Sequence, residues 1–132
     1  MRILIAEDDF IGRKLLQKFL IQYGQCNIAV NGQEAINAFL EAHKEGNPYR
    51  LICLDIMMPI RDGLEVLKTI RDVEKNKGIP KAEQAKVIIT TALNDRRTVM
   101  QSEETGCEAF ACKPLDLVKL RDVMATLGFP PK

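Results

Sequence analysis

The chain has 132 residues, 46% hydrophobic and 28% charged, a balance that excludes disorder and fits one globular domain. Its 19 basic and 18 acidic residues leave a net charge of +1, so no basic field draws it to nucleic acid or anionic lipid. The apolar runs at 3–6 and 51–54 are too short to cross a bilayer, and Glu7-Asp8-Asp9 after the first excludes a signal peptide. Residues 2–6 predict a strand. Ile11, Leu15, Leu16, Phe19 and Leu20 then keep one helical face that stops near Gly24. Residues 26–30 predict a second, weaker strand, and Asn31-Gly32 reads as a turn before a helix bearing Ala35, Ile36, Phe39 and Leu40. A third strand at 51–54 ends in Asp55. Beyond the loop at 57–62, Leu64, Leu67 and Ile70 form a helical stripe, and the polar stretch 75–86 reads as a helix end plus connection. Residues 87–89, running into Thr90-Thr91, predict a fourth strand, and 95–105 a helix with only Val99 and Met100 as large apolar residues. A fifth strand is expected at 108–112, followed by a helix that buries Leu117, Leu120, Met124 and Leu127.

Five β/α repeats in strict alternation predict an α/β domain, a parallel sheet with helices on both sides. The near-continuous apolar strands agree, because parallel strands are covered on both faces. Residues 1–127 make up this domain, and 128–132 a tail or the start of a linker. A soluble, cytoplasmic protein is expected. Cys26, Cys53, Cys107 and Cys112 contain no CxxC pair, and Cys53 and Cys112 lie in apolar runs where a thiol acts as a small hydrophobe.

Ligands of open parallel sheets bind outside the carboxyl ends of the strands. There the first strand presents Glu7-Asp8-Asp9, the third Asp55, the fourth Thr91 and the fifth Lys113. Three or more carboxylates in one crevice repel one another unless a cation intervenes. An oxygen-only donor set with room for water and phosphate points to Mg²⁺. Singly, each residue has an ordinary role. Asp8 or Asp9 suits a helix cap, Thr91 a strand, and Lys113-Pro114 a strand exit. Asp55, at the edge of a buried strand, needs a partner. Their joint position at one sheet edge carries the functional reading.

With these residues in place, the sequence resembles the receiver domain of two-component response regulators over essentially its whole length. The resemblance rests on residues 3–9, on Asp55-Ile56-Met57-Met58-Pro59-Ile60-Arg61-Asp62-Gly63, on 87–92, and on 106–114. It implies a doubly wound, flavodoxin-like (βα)5 fold with strand order 2-1-3-4-5 and a cis Lys113-Pro114 bond. Asp55 would be the phosphoacceptor. Mg²⁺ would be held by Asp8, Asp55, the Met57 main-chain carbonyl and, through water, Glu7. Thr91 and Phe110 would form the switch, with Thr91 and Lys113 contacting the phosphoryl group. The implied phosphoryl donor is a sensor histidine kinase or histidine phosphotransfer protein. The implied output partner docks on the fourth helix, fifth strand and fifth helix, with no direct nucleic-acid or membrane binding. Such a domain is not an enzyme acting on other substrates; it catalyses only its own phosphorylation and dephosphorylation.

Two other classes remain. A Mg²⁺-dependent aspartyl-phosphate phosphohydrolase usually carries Asp-x-Asp, whereas Ile56-Met57 follows Asp55 here, and a phosphorylation-independent adaptor would not need the full polar set. Arg61 stands where the family often has an apolar residue. The thin apolar face of 95–105 suggests a mobile fourth helix. His43 reads as a solvated helix residue. Met57 and Leu93, both apolar, would flank the phosphoryl group and slow its hydrolysis.

Overall fold

Four polar side chains open four helices by accepting hydrogen bonds from backbone amides two or three residues on. Asp9 caps α1 (Phe10–Leu20), Asn31 α2 (Gly32–Lys44), Asp62 α3 (Gly63–Asn76) and Asp116 α5 (Leu117–Thr126). Asn31-Gly32 is therefore a helix start, not the expected turn. The strands are β1 (Arg2–Ala6), β2 (Gln25–Ala29), β3 (Leu51–Asp55), β4 (Lys86–Thr91) and β5 (Ala109–Cys112). A 3₁₀ turn at Lys81–Glu83 precedes β4, and α4 spans Arg96–Thr105. The computed structural model describes residues 1–92 and 96–130.

All strand pairs are parallel, in the order β2-β1-β3-β4-β5. This is the flavodoxin-like sheet that the resemblance implied. Alternate residues of each strand supply two cores. On one face Ile3, Ile5, Cys53 and Ile88 pack with Leu16, Phe19 and Leu20 of α1 and with Leu120 and Met124 of α5. On the other, Leu4, Ile52, Leu54 and Ile89 pack with Phe39 of α2 and with Val66, Leu67 and Ile70 of α3. Each such side chain contributes about 1.5–3 kcal/mol on burial. Phe129 also packs against the α1–α5 core. Among the described residues, no helix is long and apolar enough to cross a membrane.

Several expected core positions are exposed. Ile11 is 76% exposed because the first turn of α1 overhangs the sheet edge, and burial begins only at Leu16. Leu40 and Leu117 are also exposed, while Ala42 takes the inward position on α2. The second strand begins at Gln25 and leaves Val30 exposed beyond its end. Cys112 is exposed and not a core thiol, because β5 is an edge strand with thin cover; all four cysteines are free. α4 fully buries only Ser102 among its described residues. Asp95 and Leu93 lie outside the described residues.

The loop after β3 is held close to its neighbours. A Cβ on Gly63 would drive into the Asp55 carbonyl, and one on Gly32 into the Arg61 carbonyl. Arg61 Nε donates to Gln33 Oε1 at 2.8 Å, which ties the loop to α2. Between them Ile60 adopts φ 72°, a left-handed conformation that costs a β-branched residue about 1–2 kcal/mol. Ile60 is 75% exposed, so little burial is lost on replacement. Ile60→Asn is expected to stabilise the fold by about 1 kcal/mol, because asparagine tolerates this region. Urea unfolding of the two proteins measures it; an unchanged or lower midpoint would contradict the strain.

Candidate functional site

The carboxyl ends of β1 and β3 place three carboxylates together. Glu7, one residue past β1, is fully buried; Asp8 is exposed; Asp55, the last residue of β3, is 3% exposed. One oxygen of each lies within 4.8 Å of the others, the arrangement of a candidate metal site. Asp9, the fourth acid of the set, caps α1 through Gly12 N at 2.8 Å. The sequence left Asp8 and Asp9 equally suited to that cap; the chain direction into α1 decides it.

Lys113, immediately after β5, reaches this cluster. Its Nζ stands 3.0 Å from Asp55 Oδ2 and 2.7 Å from Glu7 Oε1. The Met57 amide donates to Asp55 Oδ1 at 3.0 Å. The Met57 side chain is 62% exposed. Lys113-Pro114 is cis. Burial, then the adjacent Asp55, pushes the Glu7 carboxyl up to about 7, against the pull of Lys113. Burial also works to raise Asp55, but hydrogen bonds from Glu7, Lys113 and the Met57 amide outweigh it and hold Asp55 below its ordinary value. Desolvation would lower Lys113, yet its two carboxylate partners keep it raised and charged. Asp55 is thus biased toward its ionised form and Glu7 toward its protonated one, with the Lys113 ammonium against both.

A hard cation fits these residues. Glu7 Oε1 is buried, and Lys113 Nζ at 2.7 Å is the one cationic group that Glu7 and Asp55 share among the described residues. Three carboxylates within 4.8 Å of one another against a single ammonium make an all-oxygen donor set suited to a divalent ion. Gly12 leaves the room: a Cβ there would stand 3.2 Å from Glu7 Oε1.

Thr91 ends β4, buried, on the opposite face of the sheet from Asp55. It meets Asp8 and Met57 only at the rim of an open cleft of about 690 Å³, which Asp62, Thr98 and Gln101 also line. Phe110 is not part of the cluster. It is half-buried on the α2–α3 side, in register with Ile89. Arg13 was not singled out from the sequence. Its guanidinium donates to the carbonyls of Glu7 (3.2 Å) and Asp8 (3.3 Å), stapling the acidic turn to α1. No spacing rule signals a side chain that binds main chain five or six residues back.

Residues 3–125 match the family model described as the response regulator receiver domain. The chain belongs to this family. The receiver domain is similar to the osmolarity two-component system protein SSK1 of Saccharomyces cerevisiae, 33% identical over 138 residues, covering 89% of this chain and 19% of that protein. It is also similar to hybrid signal transduction histidine kinase I of Dictyostelium discoideum, 31% identical over 128 residues, covering 95% of this chain and 7% of the kinase. The receiver domain thus spans less than a fifth of either relative's length. Among solved structures it resembles the receiver domain of Ssk1 in complex with the histidine phosphotransfer protein Ypd1 from Saccharomyces cerevisiae. The TM-score is 0.78 at 31% identity, over 94% of this chain and 86% of that one. A CheX–CheY complex with BeF3 and Mg from Borrelia burgdorferi gives a TM-score of 0.78 at 29% identity, over 96% and 89%. Receiver domains are signalling domains, and the acidic cluster of this one has the donors for a metal.

Proposed function

We propose that this receiver domain accepts one phosphoryl group on Asp55 and so switches a partner-binding surface. The observation that carries the reading is the buried Asp55, clamped by Lys113 at 3.0 Å and flanked by Glu7 and Asp8. Asp55, Asp8 and the Met57 carbonyl would hold Mg²⁺ directly and Glu7 through water; the ion would offset the negative charge of an approaching phosphoryl group. An Asp55 oxygen attacks phosphorus, an O–P bond forms, and the donor's bond to phosphorus breaks with its electron pair leaving on the donor. Lys113 follows the charge from the carboxylate to the phosphoryl oxygens, and the Thr91 hydroxyl contacts one of them. The domain acts on no other substrate.

The donor in this reading is a histidine kinase or phosphotransfer protein. The similarity to a receiver solved with such a protein supports it. The new charge of about −1.5 to −2 biases Thr91 and half-buried Phe110. Thr91 lines the same cleft as Thr98 and Gln101 of α4, and the single fully buried side chain of α4 makes that helix easy to move. The output face is then α4, β5 and α5, where Met100 (58%) and Val118 (69%) are exposed. A cytoplasmic location accompanies this reading.

Incubation with acetyl phosphate and Mg²⁺ is expected to add one phosphoryl group by intact mass, and excess EDTA to prevent it. Full labelling in EDTA would remove the metal from the scheme. Lys113→Ala is expected to bind Mg²⁺ still but to lose the chemical-shift response of residues 101–110 to beryllofluoride, which stands in for the phosphoryl group. A response equal to wild type would show that Lys113 does not read the charge.

A further inference from the structure

The Asp55–Lys113 pair crosses over β4. Asp55 ends β3 and Lys113 follows β5, the two strands that flank β4, and their side chains meet at 3.0 Å. Residues in register share a face of the sheet. Asp55 is in register with Thr90, and Thr90 with Ala111, two residues before Lys113. Thr90 is therefore the β4 residue at the level of the pair and on its side of the sheet. It is 1% exposed, and its Oγ1 is buried without a hydrogen-bond partner among the described residues. A hydroxyl left in that state costs the equivalent of about tenfold in an equilibrium constant. Valine has the same shape without that cost, so packing does not account for the hydroxyl.

We propose that Thr90 is a positioning residue whose hydroxyl takes over the Asp55 carboxyl oxygen that Lys113 releases. The proposal rests on the phosphoacceptor reading of Asp55. Before transfer, Met57 N and Lys113 Nζ each serve one Asp55 oxygen. With phosphorus on Oδ1 and Lys113 turned to the phosphoryl group, the remaining acyl oxygen Oδ2 has lost its lysine donor and has a lone pair to spare beside the Mg²⁺ it would hold. Thr90, from the strand between, supplies an O–H to it; no covalent bond is made or broken in this step. The hydroxyl is thus unsatisfied in the free state and satisfied in the phosphorylated one. A group with that difference shifts the equilibrium toward phosphorylation.

The test compares Thr90→Val and Thr90→Ser with wild type, using beryllofluoride with Mg²⁺ as the probe and NMR titration for affinity. Thr90→Val is expected to bind about tenfold more weakly, and Thr90→Ser within about twofold of wild type. In metal-free buffer Thr90→Val is expected to melt at or above the wild-type temperature, since the orphaned hydroxyl is gone. Three results would each overturn the proposal: wild-type affinity in Thr90→Val, equal weakening in Thr90→Ser, or a lower melting temperature for Thr90→Val. A wild type that binds no beryllofluoride would instead overturn the phosphoacceptor reading itself, and Thr90's role with it.

Discussion

Asp55→Asn is expected to carry no phosphoryl group after incubation with acetyl phosphate and Mg²⁺, while wild type carries one. The substitution removes the carboxylate nucleophile and leaves the surroundings nearly intact. Asparagine's amide oxygen can still accept from the Met57 amide, and Lys113 keeps its 2.7 Å contact with Glu7. The buried volume hardly changes, so the variant should remain folded and the loss should be chemical. Intact mass after gel filtration reads the label, and circular dichroism checks the fold. Labelling of the variant at the wild-type level would mean that another group is the acceptor, with Asp8, the exposed carboxylate of the cluster, the first to examine.

The largest effect on stability is expected far from that site, at Glu74. This glutamate is 1% exposed on α3. Its Oε1 pairs with Arg71 at 2.7 Å and its Oε2 accepts from the Ala85 amide at 2.8 Å. Arg71 also donates to the carbonyls of Gly106 and Ala85 and makes a two-pronged contact with Glu108. Glu108 in turn accepts from Val87 N. One guanidinium thus joins α3, the start of β4 and the turn before β5. Glu74→Ala removes one of the two carboxylates that pair with Arg71 and leaves the buried Ala85 amide without its acceptor, changes that together cost about 2–3 kcal/mol. For a domain of this size that corresponds to a fall in melting temperature of about 10 °C. Urea unfolding gives the free energy directly. A loss below about 1 kcal/mol would show that water replaces the carboxylate without penalty.

β5 begins at Ala109, one residue later than the sequence suggested, although the Glu108 amide still donates to the Val87 carbonyl and its side chain is engaged in this network. An alternation of apolar and polar residues reports which way a side chain faces, but not whether a charge is held by a partner 37 residues away. His43 shows the same limit more mildly. It reads as solvated, and it packs edge-on against Phe39 with ring centroids 4.7 Å apart.

The sequence alone determined the five β/α alternations, the parallel sheet and the residues at its carboxyl edge, because apolar periodicity and strand-end placement are local properties of the chain. Glu7, Asp8, Asp55, Thr91 and Lys113 were therefore legible before any contact was known. Only the tertiary structure decided their unequal states. Glu7 is buried with its carboxyl pushed up, Asp8 is exposed beside it, and Asp9 is diverted to a helix cap. It also decided that Ile11 and Cys112 face outward, since an overhanging helix turn and an edge strand have nothing above them to bury against. Thr90 is the sharpest case. In the sequence it is one β-branched residue beside another, and only parallel register across β3, β4 and β5 brings it level with the Asp55–Lys113 pair. Register is set by the summed packing of both sheet faces, and no single segment encodes it.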